Sequence, residues 1–262
     1  MIMKKVLLIF VMLTVALVMA SAQSSYERKM YVSSDGTELS YRLLRPMKTL
    51  KQKKYPLVIF MHGSGERGSD NEKQLLHGGG MFLNPSNQEK YPAYVIFPQC
   101  PETSFWAYSH IPSAFDALNK EEKMPAPFNA VKEMIDTYLT YPDVDKSRVY
   151  IVGLSMGGMA TYDLVDRFPE IFAAAVPICG AVNPERLEDI QGVSFRIFHG
   201  DADPVVPVEC SRKAYAALRR AGVEVEYIEF PGCGHVSWNP AFCLPDFMEW
   251  LFSQKKSRKY MK

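Results

Sequence analysis

From about residue 55 onward, short apolar runs alternate with amphipathic stretches, and this alternation sets the expected architecture. Pro56–Met61, Tyr94–Pro98, Arg148–Val152, Ala173–Ile178 and Phe195–Phe198 are runs of the kind buried on both faces of a parallel sheet. Val223–Phe230 alternates polar and apolar residues, as an edge strand does. Upstream, Met30–Ser33 and Glu38–Leu44 flank Asp35-Gly36, a tight-turn dipeptide, and predict an antiparallel hairpin at the sheet margin. Helical periods lie between the runs. Phe128–Thr140 places Val131, Ile135, Tyr138 and Leu139 on one stripe. Met156–Arg167 follows directly from a strand and is stopped by Phe168-Pro169. Glu209–Ala221 ends at Gly222, and Phe242–Phe252 forms the last helix before a basic tail, Lys255–Lys262, expected to be solvated. Roughly eight strands with helical crossovers predict an α/β fold: a mostly parallel twisted sheet with helices on both faces.

The first 22 residues follow another rule. Lys4 and Lys5 precede the apolar run Val6–Ala20, and Ala20-Ser21-Ala22 offers the small residues a signal peptidase reads. The run approaches the length of a short membrane span, but the small-residue site and the polar Gln23-Ser24-Ser25 favour cleavage before Gln23. The expectation is an exported chain, periplasmic or secreted, without a stable membrane anchor. No repeat or composition break divides residues 23–262, so one domain is expected there.

Composition narrows the function. Of 262 residues, 47% are hydrophobic and 23% charged, a globular mix. Thirty Lys+Arg stand against 29 Asp+Glu, giving +1, and losing the two lysines of residues 1–22 leaves −1. Nucleic-acid binding needs a basic surplus to replace counterions, so that class is set aside. The five cysteines are Cys100, Cys179, Cys210, Cys233 and Cys243, an odd number for an oxidising compartment. If any bridge forms, Cys233 and Cys243 are the closest pair in sequence; otherwise these are small buried hydrophobes. No C-x-x-C supports zinc or thioredoxin-like chemistry.

Two connections are long, Gly63–Tyr91 and Gln99–Pro127, and long loops in compact domains tend to carry function. The second holds Phe105, Trp106, Tyr108, Pro112 and Phe115, which either roof an apolar pocket or pack on the core. His77 and His110 lie in these loops. Gly63-Ser64-Gly65-Glu66-Arg67-Gly68 spells G-x-G-x-x-G after a strand. However, the polar Ser69–Lys73 follows where a helix should open, and the next strand ends in Phe97-Pro98-Gln99 without an acid, so a dinucleotide site is rejected.

The chemistry concentrates elsewhere. Strand Val149–Val152 runs into Gly153-Leu154-Ser155-Met156-Gly157-Gly158 and then a helix, the context of a G-x-S-x-G nucleophile elbow. The sharp turn needs glycines two positions either side of the serine, and the helix N-terminus favours negative charge developing there. A serine hydroxyl needs a base, and the base an orienting acid. Phe195–Phe198 ends in His199-Gly200-Asp201-Ala202-Asp203-Pro204, and the last strand ends in Pro231-Gly232-Cys233-Gly234-His235. All three groups therefore fall past the carboxyl ends of strands, where open α/β sheets place their sites.

With the oxyanion-type loop Leu57–Met61 into His62-Gly63-Ser64-Gly65, these motifs resemble the α/β-hydrolase family. The likeness is to its carboxylesterase/phospholipase branch, akin to polyhydroxybutyrate-depolymerase-like and feruloyl esterases. The resemblance implies Ser155 as nucleophile, His235 as general base and Asp203 as the acid, with Asp201 either bracing the turn or standing as the rival acid. It implies an oxyanion held by the Ser64 and Met156 amides. By position, Glu66 and Arg67 brace that loop by ion pairing or else contact substrate, and Trp238, just past His235, lines the pocket with Trp106 or else anchors the last helix. His62 and His199 take structural roles. No cofactor or metal is implied. The expected function is cleavage of carboxylic esters through an acyl-enzyme, on small-molecule or carbohydrate-linked esters such as acetyl or feruloyl groups. A prolyl-oligopeptidase-type serine peptidase, a phospholipase or thioesterase, and a non-catalytic binding protein on the same scaffold stay open.

Overall fold

The computed structural model describes residues 26–47, 50–108, 115, 118–120 and 123–260. The leader expectation for residues 1–22, and His110 and Pro112, lie outside them. Among the described residues, eight strands form one sheet in the order β1-β2-β4-β3-β5-β6-β7-β8. They are β1 Glu27–Val32, β2 Glu38–Leu44, β3 Tyr55–Met61, β4 Tyr94–Pro98, β5 Val144–Leu154, β6 Ala174–Ile178, β7 Ser194–Gly200 and β8 Val225–Phe230. β1 and β2 are the antiparallel hairpin at one margin, and β4 through β8 run parallel with β3 among them. The polar–apolar strand β8 is the opposite edge, as its pattern requires.

Among the described residues, seven α-helices accompany the sheet: α1 Gly79–Leu83, α2 Pro85–Lys90, α3 Ala126–Leu139, α4 Met156–Arg167, α5 Glu209–Arg220, α6 Trp238–Phe242 and α7 Phe247–Ser253. Successive strand residues point to opposite faces, and here both faces are apolar. Leu57, Ile59, Ile151, Ala175 and Ile197 pack with α3, α4 and α5 on one side. Val58, Phe60, Val152, Val176 and Phe198 pack with α1, α6 and α7 on the other. No helix among the described residues is long and apolar enough to cross a membrane.

Three local expectations need correction. The last helix is not continuous over Phe242–Phe252 but breaks between α6 and α7, because Pro245 has no N–H to donate and its ring clashes with the preceding turn. The C-terminal tail is not solvated throughout. Lys256 is 3% exposed, and its ammonium donates to the carbonyls of Pro169, Phe172 and Gly192. No disulfide joins Cys233 to Cys243; all five cysteines stand as thiols. The Cys243 amide caps α6 through Asn239 O, whereas the Cys233 thiol lies against Gly234 O in its own loop.

The second long connection is clasped from within. Arg186, 7% exposed in its side chain, donates to Tyr108 Oη and to Leu118 O at 3.0 Å each. The same guanidinium pairs with Asp163 and Asp166 on α4, the helix that follows Ser155. Trp106 and Tyr108 are buried and Phe105 and Phe115 half-buried against the core, so the described aromatics of this loop pack inward.

Candidate active site

The strand-to-helix turn at Ser155 is as sharp as the glycine spacing demands. Ser155 has φ 54° and ψ −119°, outside the usual wells for a residue with a side chain. A Cβ on Gly153 would lie 2.1 Å from Gly157 O, and one on Gly157 would lie 2.0 Å from Met61 O. Both neighbours must therefore be glycine for β5, α4 and the end of β3 to meet. The strained turn is secured by its own amide, which donates to Ile178 O at 2.9 Å.

His235 and Asp203 arrive from the loops after β8 and β7. His235 Nε2 lies 2.9 Å from Ser155 Oγ, and His235 Nδ1 lies 2.8 Å from Asp203 Oδ2. Asp203 also receives the amides of Val205 at 2.8 Å and Val206 at 3.0 Å, and His199 Nε2 stands 3.2 Å away. Burial pushes the Asp203 pKa upward, but the hydrogen bonds from both imidazoles and both amides outweigh it and hold the carboxyl well below its usual range. Asp201 does what a turn brace does: its carboxylate accepts the Gly232 amide at 2.6 Å. The two loops meet only because Gly200 has no side chain, since a Cβ there would lie 2.2 Å from Cys233 O.

The facing wall is the loop after β3. Ser64 opens a 3-10 turn, Ser64–Glu66, and Met156 opens α4. First amides of helices have no partner within their own helix, so both are available to a negative oxygen. His62 anchors this loop. Its Nδ1 lies 2.6 Å from Gly63 O and its Nε2 3.0 Å from the Cys100 amide, which fixes the neutral ring with the proton on Nδ1. Burial lowers its pKa to about 4.

Trp106 is placed differently from the expectation of a substrate contact. It is 0% exposed, and its indole N–H donates to His62 O at 3.1 Å, so it braces the oxyanion-side loop from behind. Arg67 and Glu66 brace the same loop, but not through each other. Arg67 donates to the carbonyls of Ser64, Glu102 and Ser104 and lies over the Phe105 ring. Glu66 stands 3.6 Å from His77. Trp238 sits edge-on to His235 at 5.6 Å and tilted against His77 at 5.0 Å. Its buried indole N–H has no hydrogen-bond partner.

The sequence offered no reason to single out Cys179, yet it lies under the site with φ 39°. Its sulfur, an Asp203 oxygen and a His235 nitrogen lie within 4.8 Å of one another. Burial pushes the thiol up to about 12, which keeps it protonated and a poor metal ligand. The Asp203 and His235 atoms are meanwhile committed to their own hydrogen bond.

A family model for phospholipases and carboxylesterases matches residues 47–244. A rice (Oryza sativa subsp. japonica) protein named as a probable carboxylesterase is 23% identical over 214 residues, spanning 75% of this chain and 87% of the relative. An endo-1,4-beta-xylanase/feruloyl esterase of Xylanibacter ruminicola is 28% identical over 208 residues, spanning 77% of this chain but 27% of that protein. The crystal structure of a thermostable esterase superimposes with a TM-score of 0.81 at 35% identity, covering 90% of this chain and 64% of that one. This chain therefore spans just under two thirds of that esterase and about a quarter of the two-activity protein. The chain belongs to the phospholipase/carboxylesterase family of α/β hydrolases. It is a carboxylic ester hydrolase.

Proposed function

We propose that the chain is an exported serine esterase that cleaves acyl groups, acetyl or feruloyl, from polysaccharides through an acyl-enzyme. The observation that carries the mechanism is the unbroken line of hydrogen bonds from Ser155 Oγ through His235 to Asp203. Ser155 Oγ attacks the ester carbonyl while its proton passes to His235 Nε2. Asp203 keeps the Nδ1–H tautomer and stabilises the imidazolium that forms. The Ser64 and Met156 amides receive the oxyanion; losing one such donor typically costs about 10²–10³ in rate. His235 then returns the proton to the leaving alcohol, and a water activated by the same nitrogen releases the acid. Trp238, beside His235, offers an apolar ring surface to the substrate. Export rests on the signal-like pattern of residues 1–22, and the polysaccharide assignment on the likeness to the xylanase/feruloyl esterase.

The test is kcat/KM on p-nitrophenyl esters from acetate upward and on feruloylated and acetylated xylan oligosaccharides. Ser155→Ala should fall by at least about a thousandfold on every ester and lose fluorophosphonate labelling, with an unchanged circular dichroism spectrum. Undiminished hydrolysis by Ser155→Ala would overturn the nucleophile. Faster turnover of a prolyl anilide than of any ester would overturn the substrate class.

A further inference from the structure

At the opposite end of the sheet from the triad, two adjoining depressions share Lys53 and Lys54. One has a volume of about 360 Å³ and is lined also by Lys90, Arg148, Tyr91 and Phe252. The other, about 660 Å³, extends the groove past Lys51 and Asp143. The seven residues of β3 separate this groove from the oxyanion-side loop, about 20 Å at the usual strand rise.

The groove has two halves of different character. Among the described residues, no carboxylate lies within 4.0 Å of the Lys51, Lys53 or Lys54 ammonium groups, so one half presents three lysines outside ion-pair range beside a single acid, Asp143, which accepts from Tyr94 Oη. At the other half Lys90 faces Glu249 at 3.9 Å, and Arg148 is held by Asp145 at 2.7 Å. There the half-buried rings of Tyr91 and Phe252 stand together, centroids 5.0 Å apart and 31° from parallel. These rings offer apolar faces, and Glu249 is positioned to accept hydrogen bonds from hydroxyl groups. Such an excess is unexpected on a chain whose formal charge is only +1.

We propose that this groove binds the polymer that carries the scissile ester: a polysaccharide whose neutral sugars stack on Tyr91 and Phe252 and whose occasional carboxylate meets Lys51, Lys53 and Lys54. The inference deepens the polysaccharide-esterase reading and rests on it. Continuity through two depressions fits an extended chain rather than a compact ligand. A neutral, aromatic half beside a cationic half fits sparse carboxylates rather than the uniform charge of a nucleic acid. A concave groove with the exposed Glu249 carboxylate on its rim does not fit a flat anionic bilayer.

Calorimetry on Ser155→Ala with a xylotetraose bearing one glucuronate tests this without turnover. Adding Lys53→Glu and Lys54→Glu should weaken that binding about tenfold, as should raised salt, and leave neutral xylohexaose unaffected. With Ser155 restored, the double charge reversal should leave p-nitrophenyl acetate hydrolysis unchanged. Equal affinity before and after charge reversal, or tighter binding of oligothymidylate or of phosphatidylglycerol vesicles than of the acidic oligosaccharide, would overturn the proposal. Because binding is read in a Ser155→Ala background, a failed esterase mechanism and a failed groove give different results.

Discussion

Two aspartates two positions apart, both just past the end of β7, have different work because their neighbours differ. Asp203 faces two imidazoles and two amides, whereas Asp201 accepts one amide of the loop that carries His235. An amide in place of Asp203 can present N–H to His235 Nδ1 and reverse the ring's tautomer, leaving Nε2 protonated and unable to take the serine proton. Asp203→Asn is therefore expected to lower kcat on p-nitrophenyl acetate by about 10³–10⁴, with little change in KM. Asp201→Asn keeps a carbonyl to accept the Gly232 amide and should stay within about threefold of the parent, since a surface turn bond is worth only about 1 kcal/mol. Comparable losses in the two variants would mean that the roles are not divided as the geometry divides them.

At the scale of elements, what the sequence made legible is what local periodicity controls. The hairpin, strand β4 and helix α4 fall where the pattern placed them, because each carries its own turn residues or an apolar run buried on both faces. The elbow was legible for a steric reason, and Ser155, Asp203, His235 and Asp201 stand in the arrangement the motifs implied. The misses depend on partners distant in sequence. Trp106 looked like a pocket wall until His62 O claimed its N–H, and Lys256 looked solvated because its three carbonyls lie 64 to 87 residues away. The break at Pro245 was readable from one residue, but the apolar period across it masked the signal. Arg186 is the sharpest case: nothing in its own turn marks it, yet it joins the aromatic loop to α4. Arg186→Met would leave Asp163, whose side chain is 0% exposed, short of one of its two arginine partners. Breaking a buried pair from one side costs about 3–5 kcal/mol, so thermal unfolding should drop by roughly 6–20 °C. A shift within 2 °C, a value set by the roughly 2–4 °C expected per kcal/mol, would mean the clasp contributes little.

For the whole molecule, the parallel sheet delivers Ser155, Asp203 and His235 to one rim, and His62 is where that rim is tied to the loops behind it. Its ring bonds the oxyanion-side loop and the chain after β4, and its carbonyl receives Trp106 from the second long connection. The arrangement uses the neutral ring, because Nε2 accepts from an amide and a proton there would oppose that bond. Burial accordingly lowers the His62 pKa from 6.5 to about 4. Between those values the unfolded chain binds a proton that the folded chain refuses, so the stability is complete above about pH 6.5 and declines as pH falls toward 4. Asp203, also depressed, works in a separate window: its contribution is present above the ordinary carboxylate pKa and is lost only in stronger acid. The interval from pH 6.5 to 4.5 thus separates the His62 window from that of Asp203. A full shift of this size is worth about 3 kcal/mol, so Tm should fall by roughly 6–12 °C as pH approaches 4, most of it before the carboxylates titrate. His62→Gln keeps one donor and one acceptor but has no proton to gain, and its Tm should vary less over the same interval, whatever its value at pH 7. A parent protein whose Tm is flat from pH 7 to 4.5, or a glutamine variant with the same slope, would show that the rim is held by something other than a neutral His62.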